Sequence, residues 1–263
     1  MHFIRAGKGA PAIVFVHGFA CSSDDWKAQL EHFQKTSEVV ACDLRGHGQT
    51  PGRPHECSIE DYGGDVAALI SHLELERCVL VGHSMGCRVV LETSRHIADR
   101  VVGIVLVDGS RNATSDPEGA EAAARATVEK MGYAAFAERL FRQMFFKPSA
   151  QADAIVARAV KSSAEFGPQL WPRVTRWDAG QMDAAFDAVR APVLAIQSTT
   201  RNAQLQRAPM KPGDTSPWVD YLKSRGARVE IVPDTGHFTQ LEAPAAVNRL
   251  IAEFLKKGSD PFS

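Results

Sequence analysis

The stretch Cys78-Val79-Leu80-Val81-Gly82-His83-Ser84-Met85-Gly86-Cys87 joins an apolar run to a helical pattern through Gly-x-Ser-x-Gly. Glycines at those two places suit a turn so tight that a Cβ at either would collide with neighbouring backbone. Such a turn lifts the Ser84 hydroxyl above the end of a strand. It also sets the N–H of Met85, at a helix N-terminus, beside that hydroxyl. A serine so placed can attack a carbonyl, and the N–H can stabilise the negative charge that develops there. Val16-His17-Gly18-Phe19 offers a second donor, because Gly18 lets its loop approach closely and the N–H of Phe19 can complete an oxyanion hole. Losing one such donor typically costs ~10²–10³ in turnover. Pro233-Asp234-Thr235-Gly236-His237-Phe238 adds a histidine on the loop after the last strand-like run, in the chain order a serine–histidine pair requires.

Positioning these groups takes a sheet. Apolar runs at Ala12–Val16, Val39–Cys42, Arg77–Val81, Val101–Val107, Val193–Gln197 and Val229–Val232 alternate with longer helical patterns. Continuous runs such as Ile104-Val105-Leu106-Val107 suit strands covered on both faces, hence a parallel sheet. Ser58 can cap a helix running to about His72, and a final helix is expected from about Pro244 to Lys256. This alternation predicts a doubly wound α/β fold. From 111 to 188 the rhythm breaks: no strand-like run occurs, only helical patterns such as Glu121–Lys130, Tyr133–Phe146 and Ala150–Ser162. So long a connection is read as a helical insertion over one sheet edge, leaving 1–110 and 189–263 as the core. Gly258-Ser259-Asp260-Pro261 reads as a frayed end.

These motifs together resemble the α/β-hydrolase fold superfamily over nearly the whole chain. The resemblance is carried by His17-Gly18-Phe19, Asp43-Leu44-Arg45-Gly46-His47-Gly48, Gly82-His83-Ser84-Met85-Gly86, and Gly236-His237-Phe238 followed by Leu241-Glu242-Ala243-Pro244. It implies a mostly parallel sheet of about eight strands with a helical cap inserted after the sixth. It further implies Ser84 as nucleophile, His237 as general base, and Phe19 and Met85 as oxyanion donors. No cofactor is expected.

The histidine then needs a carboxylate to fix its tautomer, and loss of that group can cost ~10⁴ in rate. In most members of the superfamily the acid follows the seventh strand, here Val193–Gln197, but Ser198-Thr199-Thr200-Arg201-Asn202 contains none. Asp108, ending the strand after the elbow, is the expected replacement. Neighbouring strands are only ~4.8 Å apart, so an acid one strand nearer still reaches the histidine. Some members of the superfamily carry their acid there. Asp214 competes from far down a long loop, Asp234 sits where it would shape the His237 turn, and Asp178 and Asp187 are expected on the surface. With the acid displaced, Ser198–Asn202 is left as pocket wall or contact to the inserted helices.

Thirty basic against thirty-one acidic residues give a formal charge of −1, which argues against a nucleic-acid or membrane-surface partner and for a small-molecule substrate. No run approaches the ~18 apolar residues that span a bilayer. The N-terminus lacks the organisation of a signal sequence. Cys21, Cys42, Cys57, Cys78 and Cys87 lack metal-ligand spacing and are read as reduced thiols of a cytoplasmic protein, a monomer or homodimer with no bound metal.

The inserted segment is rich in large apolar groups, which predicts an apolar or aromatic substrate moiety. Phe145, Trp171 and Trp177, with His83 beside the nucleophile, are candidate substrate contacts. Arg111, Arg173 and Arg176 could meet a substrate carboxylate, or simply be solvated. The leading chemistry is hydrolysis of an ester, lactone or similar acyl bond through an acyl-enzyme. Two alternatives stay open: a cofactor-free, ring-cleaving dioxygenase using the His–Asp pair as base on an N-heteroaromatic, and a ligand receptor with residual hydrolysis.

Overall fold

The computed structural model describes residues 1–202 and 204–258, so the end expected to fray lies outside them beyond Gly258. The strands are β1 (Phe3–Ala6), β2 (Ala12–Val16), β3 (Val39–Cys42), β4 (Cys78–His83), β5 (Val101–Val107), β6 (Val193–Gln197), β7 (Thr199–Arg201), β8 (Arg207–Pro209) and β9 (Arg228–Ile231). One sheet has the order β1-β3-β2-β4-β5-β6-β9, while β7 and β8 form a separate antiparallel hairpin. Within the sheet β1 runs antiparallel to β3 and the remaining pairs are parallel. Among the described residues the sheet has seven strands, mostly parallel, in line with the expected architecture of about eight. Only one strand, β1, lies beyond β3 at that edge, and its half-buried residues hid it in the sequence.

The helices are α1 (Lys27–Phe33), α2 (Ile59–His72), α3 (Met85–His96), α4 (Pro117–Met131), α5 (Tyr133–Arg142), α6 (Ala150–Ser162), α7 (Gly167–Gly180), α8 (Met182–Asp187), α9 (Pro217–Ser224), α10 (Thr239–Glu242) and α11 (Pro244–Gly258). The Ser58 side chain accepts the Asp61 N–H at 3.1 Å and so caps α2. Period-two alternation sends successive strand residues to opposite faces. Val14, Val16, Leu80, Ile104 and Leu106 pack with Val66, Ile70, Val89 and Val90 of α2 and α3. Ile13, Phe15, Val79, Val81, Val105 and Val107 pack with Leu30, Phe33, Val247, Leu250 and Ile251 of α1 and α11. The sheet is therefore doubly wound.

Between β5 and β6 come α4 to α8. All five lie in the stretch 111–188, where only helical patterns are expected. Pro168 stands in the first turn of α7, where no intrahelical N–H is needed, but Pro172 lies inside the helix and removes one bond of its ladder. Packing outweighs that loss: Leu170, Trp171, Val174 and Trp177 join the apolar cluster above the sheet.

Asp178, also on α7, corrects a second expectation, for it is buried rather than on the surface. Its carboxylate takes two bonds from the Arg88 guanidinium of α3, at 2.6 and 2.8 Å, and the Asn112 N–H at 3.0 Å. Asp187 is exposed as expected. A buried pair of this kind is costly to break because one charge is stranded. Asp178→Ala should therefore lower stability by about 3–5 kcal/mol in urea unfolding, whereas an exposed pair such as Arg190–Asp99 contributes ~1 kcal/mol or less.

Candidate active site

Strand β4 runs through His83 because Gly82 still pairs with Leu106 of β5, and the chain then turns at once into α3. A Cβ on Gly82 would fall 2.3 Å from the Gly86 carbonyl oxygen, and one on Gly86 would fall 2.4 Å from that of Val16. Only glycines let strand and helix meet this closely. The strain collects on Ser84, whose φ is 54° and ψ −112°, a region that side chains other than glycine's rarely enter. It is held there by its own N–H bonded to the Val107 carbonyl (3.0 Å) and by Arg88, which donates to the Ser84 carbonyl (3.0 Å).

One strand away, Asp108 leaves β5 with φ 44° and donates its N–H to the Ile196 carbonyl of β6. Its carboxylate is wholly buried. The Ser198 and Thr199 N–H groups donate to Oδ1 at 2.7 and 2.8 Å, and the Thr199 hydroxyl donates to Oδ2 at 2.5 Å. The loop that follows β6 thus holds the Asp108 carboxylate through Ser198 and Thr199, while Arg201 of the same loop borders the cavity and donates to the Arg111 carbonyl, as expected of pocket wall and contact to 111–188. Ser198 Oγ also donates to the Gly236 carbonyl at 2.7 Å, bracing the turn before His237.

His237 completes the row. Its Nδ1 lies 2.6 Å from Asp108 Oδ2 and its Nε2 2.8 Å from Ser84 Oγ. With Nδ1–H donated to the carboxylate, Nε2 is free to accept the serine proton. Burial first, then the guanidiniums of Arg207, Arg201 and Arg88, push the imidazole well below its ordinary value and keep it neutral. Burial pushes the Asp108 carboxyl up, and Arg207 with the Thr199 and Ser198 donors oppose this by stabilising the carboxylate. Asp214 is absent from this constellation: its carboxylate accepts the Lys211 N–H in an exposed turn.

Ser84 and His237 border a cavity shared by Gly18, Phe19, Met85 and Trp171. A Cβ on Gly18 would fall 3.2 Å from Ser84 Cβ, which brings the Phe19 end of the β2 loop against Ser84. Met85, as first residue of α3, has no intrahelical acceptor for its N–H. His83 borders the cavity too, but its Nε2 donates to the His237 carbonyl at 2.9 Å, a bond that seats the histidine loop.

Two expected substrate contacts lie behind the wall. Trp177 is buried, with Nε1 bonded to Glu92 of α3 at 3.3 Å, and Phe145 stacks on Phe238 with ring centres 4.9 Å apart. The arginines singled out in the sequence also lie elsewhere: Arg111 pairs with Asp183, Arg176 with Glu118, and Arg173 donates to carbonyls of residues 54, 55 and 57. The guanidiniums at the cavity are Arg88, Arg201 and Arg207. Arg88 follows Ser84 by four residues on α3, and Arg201 and Arg207 stand in the stretch after β6 where an acid is usual.

Because burial and, after it, the three guanidiniums disfavour an imidazolium, His237 should titrate below 6.5, the ordinary value. Arg201→Gln removes one positive charge, makes the protonated ring less costly, and should move that titration upward. NMR of ring-labelled histidine reads both effects, and an unmoved His237 resonance would show that Arg201 does not act on it.

The chain is 43% identical over 103 residues to a non-heme haloperoxidase of Rhodococcus erythropolis, covering 38% of this chain and 37% of that protein. It is 40% identical over 102 residues to a bifunctional esterase/perhydrolase of Acinetobacter calcoaceticus, covering 38% and 37%. The chain thus matches little more than a third of the length of these curated relatives. In fold it is similar to a thermophilic esterase from Thermogutta terrifontis, with a TM-score of 0.80, 24% identity, and coverage of 98% of this chain and 94% of that one. The model of the alpha/beta hydrolase family matches residues 13–250, and the chain belongs to that family.

Proposed function

We propose that the protein is a serine hydrolase that cleaves an ester, lactone or related acyl bond of a small molecule through an acyl-enzyme. The observation that carries this is the unbroken row from Ser84 Oγ to His237 Nε2 (2.8 Å) and from His237 Nδ1 to Asp108 (2.6 Å). Ser84 Oγ attacks the carbonyl carbon as its proton passes to His237 Nε2. The oxyanion is met by the N–H groups of Met85 and Phe19. The imidazolium, paired with Asp108, gives the proton to the leaving oxygen as the acyl–oxygen bond breaks. Water then repeats the sequence on the acyl-enzyme, with His237 as base, and releases the acid and free Ser84. Family membership and relatives named as an esterase/perhydrolase and a haloperoxidase support acyl chemistry at this serine.

The test is a panel of short 4-nitrophenyl esters run under air with an oxygen electrode. Wild type should release a burst of nitrophenolate and consume no oxygen, and Ser84→Ala should abolish the burst. Asp108→Asn should lower turnover by ~10³–10⁴, whereas Asp214→Asn should stay within about twofold of wild type. Near-normal turnover in Asp108→Asn would overturn the assigned acid. Oxygen uptake that survives Ser84→Ala with an N-heteroaromatic substrate would overturn hydrolysis itself.

A further inference from the structure

Hairpin β7–β8 sets Arg201 directly opposite Arg207 in its register. Like charges facing each other across a strand pair are destabilising, and more so out of water. Both guanidiniums nonetheless turn to the cavity that contains Ser84, where Arg88 joins them. Each of the other two has a carboxylate. Arg88 is matched by Asp178, and Arg207, with its side chain 5% exposed, approaches Asp108 Oδ2 at 3.4 Å and donates to Thr199 Oγ1 at 2.8 Å. Arg201 has none: among the described residues it makes no ion pair, and its Nη2 donates to the Arg111 carbonyl at 3.1 Å. Burial and the neighbouring Arg207 lower it to about 10.

We propose that Arg201, with Arg207 beside it, forms a carboxylate-binding subsite, and that the compound cleaved at Ser84 is an anion with a carboxylate close to its scissile carbonyl. The proposal rests on the hydrolase function above and adds the class of substrate. A guanidinium offers a planar fork of donors that meets a carboxylate in two parallel bonds, and a bound anion would relieve the repulsion within the hairpin. Ser84 and Arg201 border the same cavity, so one small ligand can meet both. A three- to five-carbon dicarboxylic half-ester is the simplest compound that carries a scissile carbonyl and a nearby carboxylate. The lining of Phe141, Met144 and Trp171 takes its methylene groups.

Two measurements test the subsite independently of turnover and with it. In calorimetry on Ser84→Ala, malonate, succinate and glutarate are the probes. At least one should bind in the millimolar range or tighter, and the Ser84→Ala/Arg201→Ala double variant should bind it at least about tenfold more weakly. In kinetics, wild type should prefer 4-nitrophenyl hydrogen glutarate over 4-nitrophenyl butyrate. The ratio of their kcat/KM values should fall at least about tenfold in Arg201→Ala and partly recover in Arg201→Lys. Because both esters use the same His237, any change in that base cancels in the ratio. Ser84-dependent cleavage of both esters, with no anionic preference and no dicarboxylate binding, would overturn the subsite and leave hydrolysis standing. Dicarboxylate binding that needs Arg201, without Ser84-dependent cleavage of either ester, would overturn hydrolysis and leave the subsite standing. Binding unchanged by Arg201→Ala would overturn the assignment of Arg201.

Discussion

A negative charge with no access to water has to be surrounded by donors, and Asp108 imposes that requirement on everything around it. Its carboxylate is served by two backbone N–H groups, a hydroxyl, an imidazole and, at longer range, a guanidinium. The two N–H groups come from the chain leaving β6, so that chain has to bend its backbone toward β5 immediately after Gln197. A carboxylate at 199, where the hydroxyl now donates to Oδ2, would stand against Asp108 and repel it.

Strain and charge are concentrated at the same place. Ser84 and Asp108, at the ends of adjacent strands, both have positive φ, and both are tied by their own N–H to the next strand along. The sheet absorbs the backbone cost, as rigid scaffolds do at functional sites. The electrostatic cost falls on different elements: α7 supplies Asp178 to Arg88, and the β7–β8 hairpin supplies Arg207 to Asp108. The guanidiniums bear on the histidine as a group, opposing its protonation, while the carboxylate fixes the orientation of the ring.

What could be read from the sequence follows from how local each signal is. The elbow around Ser84 is a contiguous pattern whose glycines answer a close approach of backbone, and the central strands are continuous apolar runs. Asp108 was legible through its register with the strand carrying the serine, since neighbouring ends of parallel strands are near in space. Edge and context-dependent features were not. β1 is half-buried and short. Asp178 looked solvated because nothing near it in sequence announces Arg88, ninety residues away. Trp177 and Phe145 show the same limit from the other side, for a large apolar residue reads alike whether it lines a cavity or backs the wall. Arg201 and Arg207 depend on a two-stranded hairpin too short to announce itself.

One backbone contact ties the inserted helices to the chemistry. The His237 N–H donates to the Met144 carbonyl at 2.6 Å, and Glu242 accepts the Phe146 N–H at 3.0 Å. A Cβ on Gly236 would strike both Met144 and Phe146, so the two segments lie in direct backbone contact. Met144 is also part of the cavity wall. Residues 144–146 therefore join the cavity wall directly to the loop that carries His237. A substitution that displaces this short piece of main chain would displace the wall and the imidazole together.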